Sequence, residues 1–141
     1  MPDEPQVRLL RSDRLSPGVP YAYAATTGAP ARLVFTAGAC PLDDDGSTVA
    51  VGDVVGQAEQ VMTNLRAALR AAGAGLDDVL MTHVYVASSS RDDLDAAWDV
   101  VRGHLREHDA PSTLLGVTVL GWADQLVEVE AVAVARGGRT G

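Results

Sequence analysis

The segment QLVEVEAVAVA, residues 125–135, constrains the fold more than any other part of the chain. Successive side chains of a β-strand point to opposite faces of a sheet, so this segment predicts a strand with two unlike faces. One face is wholly apolar and consists of Val127, Val129, Ala131, Ala133 and Ala135. The other consists of Leu126, Glu128, Glu130, Val132 and Val134. The first face is predicted to be core, which leaves the question of what Glu128 and Glu130 contact.

Hydrophobic periodicity elsewhere predicts four more strands and two helices. The strands are predicted at 21–28, 32–39, 79–87 and 112–120. The first helix begins at Val54 after an N-cap at Asp53, and it ends at Gly73. Its inward stripe is Val54, Ala58, Val61, Met62, Leu65, Ala68, Leu69 and Ala72. The second helix lies within SRDDLDAAWDVVRGHLREH and turns Leu94, Trp98, Val101 and Leu105 inward.

The order of these elements is strand, strand, helix, strand, helix, strand, strand. It predicts a two-layer α+β fold with one mixed sheet and both helices on one face. The length fits a single domain, residues 1–141, with loose ends at 1–5 and 136–141. The face that bears Glu128 is too apolar to be left to water, and a second subunit is the simplest partner for it.

Charge and composition exclude several classes of function. The net charge is −8, and the chain has eleven arginines, scattered as single residues, and no lysine. A nucleic-acid partner is therefore not expected, because such proteins present a clustered basic surface. No segment reaches the roughly 18 uninterrupted apolar residues of a membrane helix. The single cysteine and the absence of a signal-like N-terminus favour a cytoplasmic protein without membrane contacts.

Several residues suited to chemistry have a structural interpretation. His104 and His108 have the spacing of metal ligands on a helix, but no third ligand follows at a fixed distance, so no metal site is predicted. His83 is interpreted as a core or interface residue, Cys40 as a buried inert thiol, and Trp98 as core.

The two glutamates leave two interpretations open. They either lie half exposed at a strand edge, or at least one of them lines a cleft between subunits. Apolar surroundings raise the pKa of a carboxyl group, and a carboxylate in a cleft can position a water or accept its proton.

Five segments occur in order along the chain: GVPYAYA, LVFTAGACPLDDDG, GDVVGQAEQVMTNLRAALRAAGAGLDDVLMTHVYV, APSTLLGV and LVEVEAVAV. Together they resemble the Rid family, the reactive-intermediate deaminases also called YjgF-like proteins, and the resemblance runs from about residue 17 to 135. It implies a chorismate-mutase-like α+β subunit in a homotrimer, with clefts between neighbouring subunits. It also implies a small-molecule metabolite as ligand, no metal, no cofactor, and hydrolysis of imines or enamines such as 2-aminoacrylate.

The resemblance assigns roles to individual residues. Glu128 matches a cleft glutamate that orders water, and Glu130 is interpreted as structural. Tyr21 matches the tyrosine of a Pro-Tyr motif in the cleft. Gly38 matches a glycine whose backbone N–H approaches the ligand carboxylate. Leu114, on the penultimate strand, is included among the substrate-binding residues.

The chain departs from the family pattern at the residue that anchors the substrate carboxylate. The family has an arginine early in the penultimate strand, and Ser112 occupies that position here, with no arginine between Arg106 and Arg136. A serine cannot replace the two-pronged arginine contact. Efficient hydrolysis of amino-acid-derived imines is therefore not expected. Three alternatives remain: deamination of a substrate that needs no arginine, a non-catalytic binding or sensor protein, and an endoribonuclease, against which the acidic charge counts.

Overall fold

The structure, a computed structural model, describes residues 6–136. The described strands are β1 (Val7–Leu10), β2 (Ala24–Thr27), β3 (Leu33–Phe35), β4 (Val79–Val86), β5 (Ser112–Gly116) and β6 (Val127–Val134). The helices are α1 (Val54–Ala71) and α2 (Arg91–Leu105), and a short 3-10 helix spans Leu76–Asp78.

Four strands form the main sheet in the order β3-β6-β4-β5. β4 and β5 run parallel, whereas β6 is antiparallel to both β3 and β4, so the sheet is mixed. The predicted α+β class is confirmed. The prediction of a single sheet is wrong, because β2 pairs with β1 in a separate two-stranded ribbon. β1 was not predicted, since four residues are too few to establish an alternating pattern.

Both helices cover the same face of the main sheet, as predicted. The residues of the apolar face of β6 and its C-terminal extension are at most 4% exposed: Val127, Val129, Ala131, Ala133 and Ala135. They pack in one core cluster with Met62, Leu65 and Leu69 of α1 and Val101 of α2. No helix among residues 6–136 is long and apolar enough to cross a membrane.

The predicted ends of α1 are confirmed. The Asp53 side chain accepts a hydrogen bond from the backbone N–H of Gly56 at 3.0 Å. Gly73 follows the helix with a φ of +83°, a left-handed conformation that favours glycine at this position. Its N–H donates to the carbonyl of Arg70 at 3.0 Å.

Three strands are much shorter than predicted. The strand predicted at 21–28 forms only over Ala24–Thr27. The segment predicted as 32–39 forms a strand only over Leu33–Phe35, and it touches β6 again at Ala39, whose N–H donates to the Val129 carbonyl at 2.7 Å. The segment predicted as 112–120 ends at Gly116, where an added Cβ would lie 2.7 Å from the Ser88 carbonyl oxygen. The chain then forms a loop before β6.

The termini 1–5 and 137–141, predicted to be loose, lie outside the described residues. Arg136 was included in that loose end, but the structure ties it down. Its backbone N–H donates to the Gly73 carbonyl at 3.0 Å, and its guanidinium Nε donates to Asp78 at 2.9 Å.

The face of the main sheet that the helices do not cover is called the open face. By register it carries Glu128 and Glu130 of β6 together with His83 and Tyr85 of β4. Large apolar side chains are exposed at its two edges: Leu33 at 51%, Phe35 at 72% and Leu115 at 44%. A face of this kind is suited to a protein partner.

Candidate functional site

Glu128 lies over Gly38 at the point where the chain between β3 and α1 meets β6. A Cβ added at Gly38 would be 2.5 Å from both Cδ and Oε2 of Glu128, so only glycine leaves room for this carboxylate. Oε1 of Glu128 accepts hydrogen bonds from Cys40 Sγ and from Gln125 Nε2, both at 3.2 Å. Within residues 6–136, Oε2 receives no hydrogen bond, so this oxygen is available to water or a ligand. These four residues, Gly38, Cys40, Gln125 and Glu128, are called the Glu128 cluster.

Cys40 is a protonated hydrogen-bond donor in the Glu128 cluster. Burial raises the pKa of its thiol to about 11, and the hydrogen bond to Glu128 and the negative charge of that carboxylate add to the shift. Hydrogen bonds from Gln125 and Trp122 oppose the shift without reversing it. The prediction of an inert thiol therefore agrees with its pKa, since the thiolate is the reactive form. The thiol is only partly buried, however, and it touches a predicted site residue.

Two polar side chains of α1 position the loops that carry this cluster. The Asn64 amide donates to the carbonyls of Cys40 and Leu42, at 2.8 and 2.9 Å. The fully buried Gln57 donates to the Asp124 carbonyl at 2.9 Å and accepts from the Leu126 N–H at 2.7 Å. Glu128 is thereby approached from two loops that the same helix fixes.

Glu130, two residues along the same face, has a different environment. Its Oε1 accepts a hydrogen bond from the Tyr85 hydroxyl at 2.6 Å and lies 3.5 Å from His83 Nδ1. The rings of His83 and Tyr85 are stacked, with centroids 6.2 Å apart. His83 thus belongs to the open face, as its interface interpretation requires, and Glu130 is held by cross-strand neighbours.

A second feature is a hollow of about 490 Å³ between the edge strand β5 and helix α2. It is called the aromatic hollow, and its lining residues are Pro20, Tyr21, Trp98, Ser112, Thr113 and Leu114. Tyr21 meets Trp98 edge to face, with ring centroids 6.5 Å apart. Three of the predicted site residues, Tyr21, Ser112 and Leu114, therefore lie together. Trp98, predicted to be core, packs against the core cluster and in addition lines the aromatic hollow.

The hydroxyl of Ser112 is used inside the protein. Ser112 Oγ donates to the Ala110 carbonyl at 3.0 Å and lies 2.7 Å from Thr82 Oγ1. Because its only proton is directed at Ala110, Ser112 accepts from the fully buried Thr82. The position where the family has an arginine thus offers no charge and no spare donor.

The structure does not bring the two groups of predicted residues together within one subunit. Ser112 pairs in register with Thr82, on the side of the sheet that the helices cover. Glu128 pairs with Tyr85 and so points to the open face. Ser112 and Leu114 of the aromatic hollow therefore face the opposite side of the sheet from Glu128, and only Thr113, which pairs with His83, comes from the open face.

Two arginines could be considered as replacements for the carboxylate-binding arginine that the family has at the position of Ser112. Arg11 lies beside the segment that carries Tyr21, but its guanidinium donates to the Val19 carbonyl at 2.8 Å and pairs with Asp109 at 3.1 Å. Arg32 precedes β3, at the edge of the sheet opposite to β5. Neither is among the residues that line the aromatic hollow.

The sequence missed Cys40, Gln125 and Trp98 as site residues. Cys40 could have been found from its spacing, because it follows Gly38 by two residues on a segment that returns to β6. Gln125 gave no signal, since its contact with Glu128 depends on the bend that precedes the strand. The two histidines with metal-ligand spacing contact different groups. His104 Nε2 lies 2.8 Å from Glu59, and His108 Nε2 lies 2.7 Å from the Val79 carbonyl.

The fold and these residues define a class of protein: a two-layer α+β subunit with a glutamate held over a glycine and one sheet face left uncovered, with large apolar side chains exposed at its edges. The family model described as Endoribonuclease L-PSP matches residues 12–135. With this match, the chain belongs to the Rid (YjgF-like) family, and the predicted family is confirmed.

Relatives and solved structures agree with this assignment. A RutC family protein of Pyrococcus horikoshii is 32% identical over 114 residues, covering 81% of this chain and 86% of the relative. The 3-aminoacrylate deaminase RutC of Acinetobacter baylyi is 28% identical over 117 residues, covering 83% and 88%. The crystal structure of YyfB from Yersinia pestis, a Rid family protein of unknown function, matches with a TM-score of 0.84 and 29% identity, covering 92% of this chain and 98% of that one.

Proposed function

We propose that this protein hydrolyses small imines or enamines to a carbonyl compound and ammonia, in clefts between the subunits of a homotrimer. The observation that carries the proposal is the Glu128 cluster: a carboxylate with one oxygen fixed by two donors and the other directed over a glycine. Family membership and the deaminase activity named for the RutC relative support it.

Each cleft would combine two subunits. Because Ser112 and Glu128 face opposite sides of one sheet, on strands that β4 separates, a single ligand cannot reach both within one chain. A neighbour seated on the open face would bring its own aromatic hollow toward Glu128. The exposed Leu33, Phe35 and Leu115 supply apolar surface for that contact.

The chemistry requires a base for water and a route for protons. Glu128 accepts a proton from a water molecule held at Oε2 while the water oxygen bonds to the imine carbon. The C=N electron pair moves to nitrogen, which takes the proton that Glu128 accepted, so the carboxylate is regenerated and a carbinolamine results. The C–N bond then breaks as the hydroxyl proton is transferred to nitrogen, which leaves a carbonyl compound and ammonia. Cys40 and Gln125 hold the carboxylate in place during these steps.

A panel of unstable imines generated in the assay tests the proposal, with ammonia release and trapping of residual imine as readouts. The wild-type protein is expected to accelerate at least one of them, and Glu128→Gln is expected to abolish the acceleration. If no imine is accelerated, the alternative of a non-catalytic binding protein replaces the enzyme.

The trimer has its own test. The mass by light scattering at micromolar concentration is expected to be close to three times 14.7 kDa. A monomer would remove the composite cleft.

An endoribonuclease activity, the description attached to the family model, is not favoured, because the chain has a net charge of −8 and nucleic-acid binding needs basic surface. The cytoplasmic location also stays a prediction.

A further inference from the structure

The aromatic hollow has a composition that limits what it can bind. Its lining is two aromatic rings, a proline, a leucine and two hydroxyl residues, and no residue of that lining carries a positive charge. Pockets of a few hundred cubic ångströms with mostly apolar walls are typical of small-ligand sites. A carboxylate placed here would lose its water without gaining a cation, which costs free energy.

The polar groups of the hollow reinforce this limit. The Ser112 proton is directed at the Ala110 carbonyl, so it does not serve an anionic ligand. The nearby Arg11 is paired with Asp109 and with the Val19 carbonyl. The rings of Tyr21 and Trp98, in contrast, meet edge to face and form a wall against which a planar group can pack.

We propose that the substrates of this protein are imines that lack a carboxylate and carry an aromatic or branched apolar group, which the aromatic hollow binds. The inference rests on the proposed hydrolysis, and it names the substrate class for that same cleft. The imine carbon would lie at the mouth of the hollow, toward the neighbour's Glu128, while the apolar group fills the space beside Trp98. Such imines arise by oxidation of primary amines, so an amine-oxidising reaction is the class of step that supplies them.

The test compares two substrates that differ only in the carboxylate. Oxidation of phenethylamine by an amine oxidase gives 2-phenylethanimine, and oxidation of phenylalanine by an amino-acid oxidase gives 2-imino-3-phenylpropanoate. The wild-type protein is expected to hydrolyse the first with a kcat/KM at least about tenfold higher, because the second must bury an unpaired anion. It is also expected to show little or no hydrolysis of 2-aminoacrylate.

Binding separates this inference from the catalytic proposal. Phenylacetamide and phenylacetate have nearly the same shape and differ in charge, so calorimetry with each measures charge preference without turnover. Phenylacetamide is expected to bind at least about tenfold more tightly. Trp98→Leu is expected to abolish that binding. If Trp98→Leu does not fold, Tyr21→Leu serves as the second variant, because Tyr21 is only half-buried, and it is expected to have the same effect.

The outcomes are distinguishable. Selective binding of phenylacetamide without hydrolysis of either imine overturns the deaminase and keeps the ligand class. Hydrolysis that favours 2-imino-3-phenylpropanoate keeps the deaminase and overturns the ligand class, and loss of that activity in Arg32→Ala would then identify the anchor. Equal binding of phenylacetate and phenylacetamide also overturns the ligand class.

A variant that introduces a positive charge completes the test. Ser112→Arg restores the family's arginine and is expected to shift the preference toward the carboxylate-bearing imine. Ser112→Gln is the matched control, because it removes the same hydroxyl and adds length without charge. If both variants shift the preference equally, the effect is steric and the inference on charge is wrong.

Discussion

Glu128 and Glu130 have the same side chain, the same strand and the same sheet face, yet the structure treats them differently. Glu130 receives the Tyr85 hydroxyl at 2.6 Å from the neighbouring strand β4. Glu128 instead receives a thiol and an amide from two loops, and it occupies the space that a Cβ at Gly38 would need. We infer that Glu130 stabilises the pairing of β4 and β6. Glu128 is held by loop residues instead, which leaves it in a position to contact water or a ligand.

The strongest test of this comparison is the pair Glu128→Gln and Glu130→Gln. Glu128→Gln keeps the shape and removes the base, so hydrolysis of the best imine is expected to fall about a hundredfold or more. Glu130→Gln is expected to leave kcat/KM unchanged. Thermal unfolding of both variants serves as the control for folding. An equal loss in both would mean that the two carboxylates are not functionally distinct.

Gly38→Ala is the next largest expected effect. The new Cβ would lie 2.5 Å from the Glu128 carboxylate, which must move, and a displacement of about 1 Å can lower a rate by up to about a hundredfold. Gly28→Ala is the matched control, because an added Cβ there meets nothing within 4 Å. Steady-state kinetics of the two variants should differ by about tenfold or more. Unchanged kinetics in Gly38→Ala would show that the close approach has no role in turnover.

The sequence predicted most of the fold because hydrophobic periodicity reports on the core. The face of 125–135 predicted to be buried is buried, and α1 begins at Val54, as predicted, and is followed by Gly73. The ribbon of β1 and β2 was missed because two four-residue strands leave no such pattern.

The candidate site was predictable only in part. The alternation of 125–135 singled out Glu128, and the resemblance supplied its role and added Gly38; the structure places the two residues in contact. The roles of Cys40 and Gln125 depend on loops that meet β6, and loop geometry leaves no period in the sequence. The separation of Ser112 from Glu128 depends on the register of three strands, which local pattern does not determine.

Cys40 offers a test of the site that needs no substrate. It is the only cysteine, so the rate of alkylation by iodoacetamide reports on one thiolate. The rate is expected to rise with pH toward a pKa of about 11 in the wild type. Glu128→Gln is expected to lower that pKa toward the ordinary 9.0, because the anionic acceptor is removed while burial remains. Glu130→Gln is the control, and a shift of the same size in that variant would contradict the assigned geometry.

The smallest expected effect is the titration of Tyr85. Its hydrogen bond to Glu130 raises its pKa to about 12, and burial and the negative charges of Glu130 and Glu128 act in the same direction. Ultraviolet titration of tyrosinate, with Tyr85→Phe as the reference, should show this pKa lowered in Glu130→Gln and much less changed in Glu128→Gln.

The raised pKa of Tyr85 also determines how this residue makes the free energy of unfolding depend on pH. Because the folded state holds the Tyr85 proton more tightly than the unfolded chain does, the contribution is fully present below pH 10 and is lost as the pH rises from about 10 toward 12. Tyr85→Phe is expected to remove that loss from the pH dependence of unfolding. A neighbouring subunit on the open face would bury Tyr85 further and raise its pKa in the same direction. If the Tyr85 pKa falls further in Glu128→Gln than in Glu130→Gln, the assignment is wrong. Tyr85 would then interact mainly with Glu128, and Glu130 would not be the carboxylate held by the neighbouring strand.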